Sequence, residues 1–177
     1  EALNGNMQDD VKDIILSLGS YMMKLAGKGD DIEQNKKMIM ENINNKKALN
    51  KFKELIKNQG GDVSYIEDTS KFERAKYIIP IKSEKMGYIK SMDNEKIGYI
   101  SSSLGAGRLK KEDKINDKVG IIINKKIGDK VNVGDVLGFI HSDDIEVGNN
   151  AVKEMQNCYE FSDEYVEKQK HILGIIK

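Results

Sequence analysis

The run from Tyr99 to His141, YISSSLGAGRLKKEDKINDKVGIIINKKIGDKVNVGDVLGFIH, sets its glycines where strands must reverse, and that spacing leaves few folds open to the chain. Ile121, Ile122 and Ile123 read as a core strand. Gly128-Asp129 and Gly134-Asp135 are tight-turn dipeptides, and Val131, Val133, Val136, Leu137, Phe139 and Ile140 line the strands around them. Ahead of this unit, Leu104-Gly105-Ala106-Gly107-Arg108 forms a flexible loop leading into the charged run Lys110-Lys111-Glu112-Asp113. The whole stretch predicts a compact β unit.

Upstream the periodicity is helical. Val11, Ile14, Ile15, Leu18, Met22 and Leu25 recur at spacings of three and four behind Asp9 and Asp10, which predicts a capped helix with one buried stripe, ended by Gly27 and Gly29. A second helix is expected from Asp30, with Glu33 completing a capping box and Ile32, Met38, Ile39 and Ile43 on its apolar side. A third carries Ala48, Leu49, Phe52, Leu55 and Ile56 and stops at Gly60-Gly61. Short amphipathic helices cannot bury their stripes alone, so three of them without a nearby sheet read as a piece of a larger lobe.

From Asp62 the apolar period shortens to two, in VSYI and in AKYIIPIK, and the domain boundary is placed there: a helical segment over 1–61 and a β-rich domain over 62–177. Pro80 lies within the second run and belongs on an edge strand or a bulge. Gly87-Tyr88-Ile89 and Ile97-Gly98-Tyr99-Ile100 read as short strands about a polar turn at Met92–Glu95. A helix follows around Val147, Ala151, Val152 and Met155, and His171–Ile176 closes the chain as a terminal strand. The fold class is α+β, with a mixed β-barrel or hammerhead-like C-terminal domain.

The formal charge is zero, 29 basic residues against 29 acidic, so no long-range positive field is present to gather nucleic acid or anionic lipid. No run of eighteen apolar residues suggests a membrane helix, and no secretory signal precedes the first helix. Cys158, the single cysteine, excludes an internal disulfide framework and fits a reducing, cytoplasmic setting; it reads as a small packed residue. The chain starts at Glu1 rather than at a methionine, which leads us to expect further chain upstream.

Each candidate site has a plain structural reading beside it. Gly105 and Gly107 free backbone amides beside Arg108, Lys110 and Lys111, which could hold an anion. Yet GAGRLKK is neither a GxxxxGK[ST] phosphate loop nor a dinucleotide fingerprint, and a structural turn or lobe-contact loop is the favoured reading. Ile127–Ile140 resembles half of a biotinyl or lipoyl domain, but an aspartate stands in Ile140-His141-Ser142-Asp143-Asp144 where the carrier lysine belongs. His141, Asp143, Asp144 and Glu146 can be drawn as a metal site, although a strand-end histidine beside solvated acids is the commoner explanation. Ser101-Ser102-Ser103 lacks a nucleophile elbow, and Met22, Met23, Met38 and Met40 read as core filler. No catalytic set emerges, and no metal site is predicted.

LGAGRLKKEDKINDKVGIIINKKIGDKVNVGDVLGFIH resembles the C-terminal domain of the class II pyrimidine-nucleoside and thymidine phosphorylases. Gln59-Gly60-Gly61-Asp62 after the Ala48–Phe52 helix, and Leu18-Gly19-Ser20-Tyr21-Met22 leading to Leu25-Ala26, stand in that family's order. The resemblance implies a parent enzyme that cleaves a pyrimidine nucleoside with inorganic phosphate, giving base and pentose 1-phosphate, with no organic cofactor. It also implies a homodimer built through another lobe, closure of that lobe across a cleft, and a place near the cleft for the Gly105–Asp113 loop. The family's phosphate loop and its arginine-serine-lysine base site have no counterpart in this sequence, so none of those roles is carried to a residue here. Residues 1–61 would be late helices of the large α/β lobe. The other reading is an independent, non-catalytic β-barrel module for protein contact. Preference among thymidine, uridine and deoxyuridine is not encoded in these residues.

Overall fold

The computed structural model describes residues 1–108 and 110–176. They form two compact units, Glu1–Phe72 together with the tail from Lys170, and Glu73–Gln169.

In the first unit, helix α1 (Asp9–Leu25) follows Gln8, with Asp9 and Asp10 in the opening turn rather than at the cap. Helix α2 (Ile32–Asn44) is capped by Asp31, not Asp30: its Oδ1 accepts from the amides of Glu33 and Gln34 at 2.8 and 3.1 Å. Helix α3 (Lys47–Asn58) ends where Gly60 turns left-handed at φ 78°. The seam between α1 and α2 is small and polar. Gly19 faces Ile39 there, and buried Asn35 donates from Nδ2 to the carbonyls of Ser20 and Gly29 at 3.1 and 2.9 Å.

That geometry corrects the expected buried stripe. Val11, Ile14, Ile15, Leu18, Met22 and Leu25 do share one face of α1, but they are 39–89% exposed, and Ile43 is the one buried apolar side chain of this unit among the described residues. Periodicity identifies an apolar face and says nothing of what covers it. The strand expected at Val63–Ile66 is also absent. Asp62 Oδ1 accepts the Ser64 amide at 2.8 Å and starts a one-turn helix, α4 (Ser64–Glu67), and Asp68 does the same for Ser70 at 3.0 Å. Such aspartate turns give the backbone a local partner that a four-residue alternation cannot outweigh.

The second unit holds two three-stranded antiparallel sheets. One runs β1-β5-β3, from Tyr77–Lys82, Val136–Ser142 and Gly120–Ile123; the other runs β4-β2-β6, from Lys130–Val131, Gly87–Met92 and Tyr159–Ser162. Neither closes into a barrel, so the barrel and hammerhead expectation gives way to a plainer α+β arrangement. Pro80 sits on edge strand β1 opposite Phe139. Gly138, on central strand β5, lets β3 approach closely: a Cβ there would lie 2.2 Å from the Ile122 carbonyl oxygen.

Ile97–Ile100 is helical rather than extended. Asp93 accepts the Lys96 amide at 3.0 Å and caps α5 (Asn94–Ser101), which buries Ile97 and Ile100 three residues apart. The polar residues read as a hairpin turn are this helix's cap. Helix α6 (Ile145–Gln156) is capped by Asp144, whose Oδ1 accepts from Glu146 and Val147 at 2.8 and 3.0 Å. Among the described residues β6 is the last strand and 172–176 join no sheet, and Leu173 and Ile176 are fully exposed. Ile81, Ile89, Ile100, Val131, Leu137, Ile140 and Met155 form the center of the core, drawn from both sheets and both helices.

Candidate functional site

The glycine-rich loop leaves α5 through a wide turn, Ser102–Ala106, that buries Leu104 and brings Gly105 to φ 103°, a conformation side chains resist. Gly107 runs so close to the helix end that a Cβ would meet Ser102 Oγ at 2.6 Å and its Cα at 3.3 Å. Both glycines are half-buried, while Arg108, Lys110 and Lys111 are exposed. Leu109, inside this loop, lies outside the described residues. The Lys110 amide donates to Asp113 Oδ2 at 2.8 Å, and the Asp113 amide returns to the Lys110 carbonyl at 3.1 Å. The loop's own carboxylate therefore takes an amide that an incoming anion would need.

The base of the loop is tied down. Asn116 donates its backbone N–H to the Gly105 carbonyl at 2.9 Å and its Nδ2 to Asp143 Oδ2, also at 2.9 Å. Asp143 Oδ1 accepts the Lys76 amide at 2.9 Å, just ahead of β1, and Lys118 Nζ lies 3.6 Å from Oδ2 and 3.3 Å from Glu73. The Asn116 side chain, with Lys76, holds the Asp143 carboxyl below the usual carboxylate range. None of these partners was visible in the sequence, where Asn116 and Lys76 stand 27 and 67 residues from Asp143.

The remaining candidates resolve into structural roles. Asp143 holds a loop and Asp144 caps a helix, so neither aspartate at the carrier-lysine position is spare. His141 lies in β5 opposite Ile78 and Gly120, whereas His171 belongs to the other unit, 3.8 Å from Asp13. Among the described residues no three His, Cys, Asp or Glu side chains converge to hold a metal. Ser102 and Ser103 donate their hydroxyls to the carbonyls of Gly98 and Ile100. Cys158 is buried, its thiol pushed above its ordinary pKa by desolvation and bonded to the Glu154 carbonyl at 3.3 Å.

The polar groups of these residues fix loops, caps and strand ends. Residues 88–162 match the family model of the pyrimidine nucleoside phosphorylase C-terminal domain. Across 166 residues, 94% of the chain, it is 42% identical to the pyrimidine-nucleoside phosphorylases of Staphylococcus aureus strains USA300 and NCTC 8325, and 41% identical to that of bovine strain RF122. The similarity to pyrimidine-nucleoside phosphorylases thus runs along nearly the whole chain, with the C-terminal-domain match inside it. The chain spans 38% of the length of those relatives.

Proposed function

We propose that the chain is the C-terminal portion of a pyrimidine-nucleoside phosphorylase and supplies scaffold, not reacting groups, to nucleoside phosphorolysis. In that reaction a phosphate oxygen bonds to the sugar C1′ as the C1′–N bond breaks, and the electron pair leaves with the base. Cations and amide donors must hold the phosphate, and donors must meet the charge growing on the base. The observation that carries the proposal is the 42% identity extending over 94% of the chain. The unpartnered apolar surface of Glu1–Phe72 supports it: α1 carries a bare stripe, and elsewhere in the unit a groove of about 550 Å³ is lined by Leu49, Phe52, Ile56, Tyr65, Ile66 and Phe72. Exposed apolar surface on this scale marks a place where more protein belongs.

The same reading takes thymidine or uridine with inorganic phosphate as substrates, no organic cofactor, a homodimer formed through the part of the relatives outside the match, and a cytoplasmic setting in keeping with one free thiol. Gly105, Gly107 and Arg108 would border the cleft, on a loop that orders when the lobes close. The test is a chimaera. Purified chain given uridine or thymidine and phosphate should release no base, and the same chain joined behind the unmatched portion of the Staphylococcus aureus relative should release it in a phosphate-dependent way. Base release by the chain alone overturns the proposal. A folded but inert chimaera would favour the independent contact module instead.

A further inference from the structure

We propose that Asp143 is a positioning residue for the glycine-rich loop, acting through Asn116 as a two-part clasp that fixes both ends of the Gly105–Asn116 excursion against the start of β1 and the end of β5. The inference rests on the geometry of the second unit alone and is independent of the reaction.

The loop leaves at Gly105 and returns at Asn116, whose amide closes the ring on the Gly105 carbonyl at 2.9 Å. What holds Asn116 in turn is its side chain, and both ends of that carboxamide are specified: Nδ2 donates to Asp143 Oδ2 at 2.9 Å, and Oδ1 accepts the Lys118 amide at 3.2 Å. Asp143 is similarly committed, with Oδ1 on the Lys76 amide and Oδ2 shared between Asn116 and Lys118. Tyr77 pairs with Ser142 in the first register step of β1 and β5, so Asp143 stands where the two strands meet. One half-buried carboxylate thus joins strand β1, strand β5 and the loop base. Within the loop, the Lys110–Asp113 turn bonds to itself. The clasp therefore sets where the exposed Arg108, Lys110 and Lys111 are presented.

Bond polarity supplies a discriminating test. In Asp143→Asn the Lys76 amide keeps its acceptor, but two carboxamide NH2 groups face each other, and flipping Asn116 forfeits the Lys118 amide. In Asn116→Asp two carboxylates meet. Exchanging the two residues in one chain, Asn116→Asp with Asp143→Asn, reverses the donor between 116 and 143, keeps the Lys76 and Lys118 amides bonded, and moves the carboxylate near Lys118 Nζ from 143 to 116. Hydrogen exchange on the full chain should show the Asn116 amide opening about tenfold faster in each single variant, the loss expected for one charge-assisted bond. Trypsin cleavage after Arg108, Lys110, Lys111 or Lys114 should quicken in step, while the amides of β1 and β5 hold their protection. The exchanged pair should return both readouts to within about threefold of the parent. Asn116→Ala serves as a milder variant should Asp143→Asn unfold. Unchanged exchange at Asn116 in the single variants, an equal rise throughout β1 and β5, or an exchanged pair no better than the singles would each overturn the assignment.

Discussion

Gly138→Ala should be the most damaging single methyl that can be added to the second unit. A Cβ at this position would lie 2.2 Å from the Ile122 carbonyl oxygen, 3.3 Å from its carbon and 3.4 Å from Ile123 Cα, all of them backbone on β3. No rotamer change relieves a contact with main chain. Ordinary van der Waals separation needs about 1 Å of additional space, so β3 must peel from β5, where it is paired through only four residue steps. Losing about two ladder bonds, near 1 kcal/mol each, and loosening Leu137 beside them predicts a cost of about 2–4 kcal/mol. For a unit of this size that lowers the melting temperature by roughly 10–25 °C. Urea and thermal unfolding followed by circular dichroism measure it. Gly98→Ala is the matched control: Gly98 sits inside α5 with nothing within 4 Å of the added carbon, and helix propensity predicts a gain of about 0.5–1 kcal/mol. A Gly138→Ala loss smaller than about 0.5 kcal/mol would refute the close-approach argument, because the strands would then be free to move.

Asp144→Ala removes the acceptor for two amides at the start of α6 and should destabilise the chain by about 1 kcal/mol in the same unfolding assay. Tyr159 carries a buried hydroxyl with no hydrogen-bond partner among the described residues, and burial, with Cys158 beside it, pushes its pKa up to about 12. The unfolded chain loses that proton near 10 while the folded chain keeps it, so this contribution to stability is complete below pH 10 and vanishes as pH climbs to about 12. Tyr159→Phe should be neutral to about 1 kcal/mol stabilising at pH 7 and should lack that alkaline loss; a variant whose stability tracks the parent from pH 10 to 12 contradicts it. Leu18→Ser with Met22→Ser, on the 60% and 69% exposed positions of α1, should change unfolding of the chain by less than about 0.5 kcal/mol yet lower the yield of active chimaera. A large loss in the chain itself would mean that the stripe is covered.

Turns and long periodic segments could be read directly from the residues. Gly128-Asp129 and Gly134-Asp135 mark the ends of β4 and β5, the three isoleucines lie in β3, and α1, α2, α3 and α6 fall where three-four spacing puts them. Short apolar runs were the weak point. Val63–Ile66 and Ile97–Ile100 alternate over too few residues for the period to decide, and an aspartate ahead of each accepts a backbone amide, Asp62 in a local turn and Asp93 as a cap, that tips the backbone into a helical turn. His171–Ile176 has strand-forming composition, but a strand requires a neighbour, and none is paired with it among the described residues. The stripe of α1 was correct as a face and wrong as a buried one. At the glycine loop, Gly105 and Gly107 announced themselves through composition. The residues that hold the loop did not, because a lone Asn116 and a lone Asp143 carry no pattern until folding sets them side by side.

Because neither sheet closes on itself, each retains two margins, and these are unequally guarded. Pro80 interrupts the donors of β1, β4 is two residues long, and β6 only four. On β3, Ala106 stands 3.8 Å from the place a Gly120 side chain would fill, but Ile122 further along is 47% exposed. Strand-to-strand pairing between copies of this unit should begin along that margin, and a lysine in place of Ile122 is the economical means of blocking it.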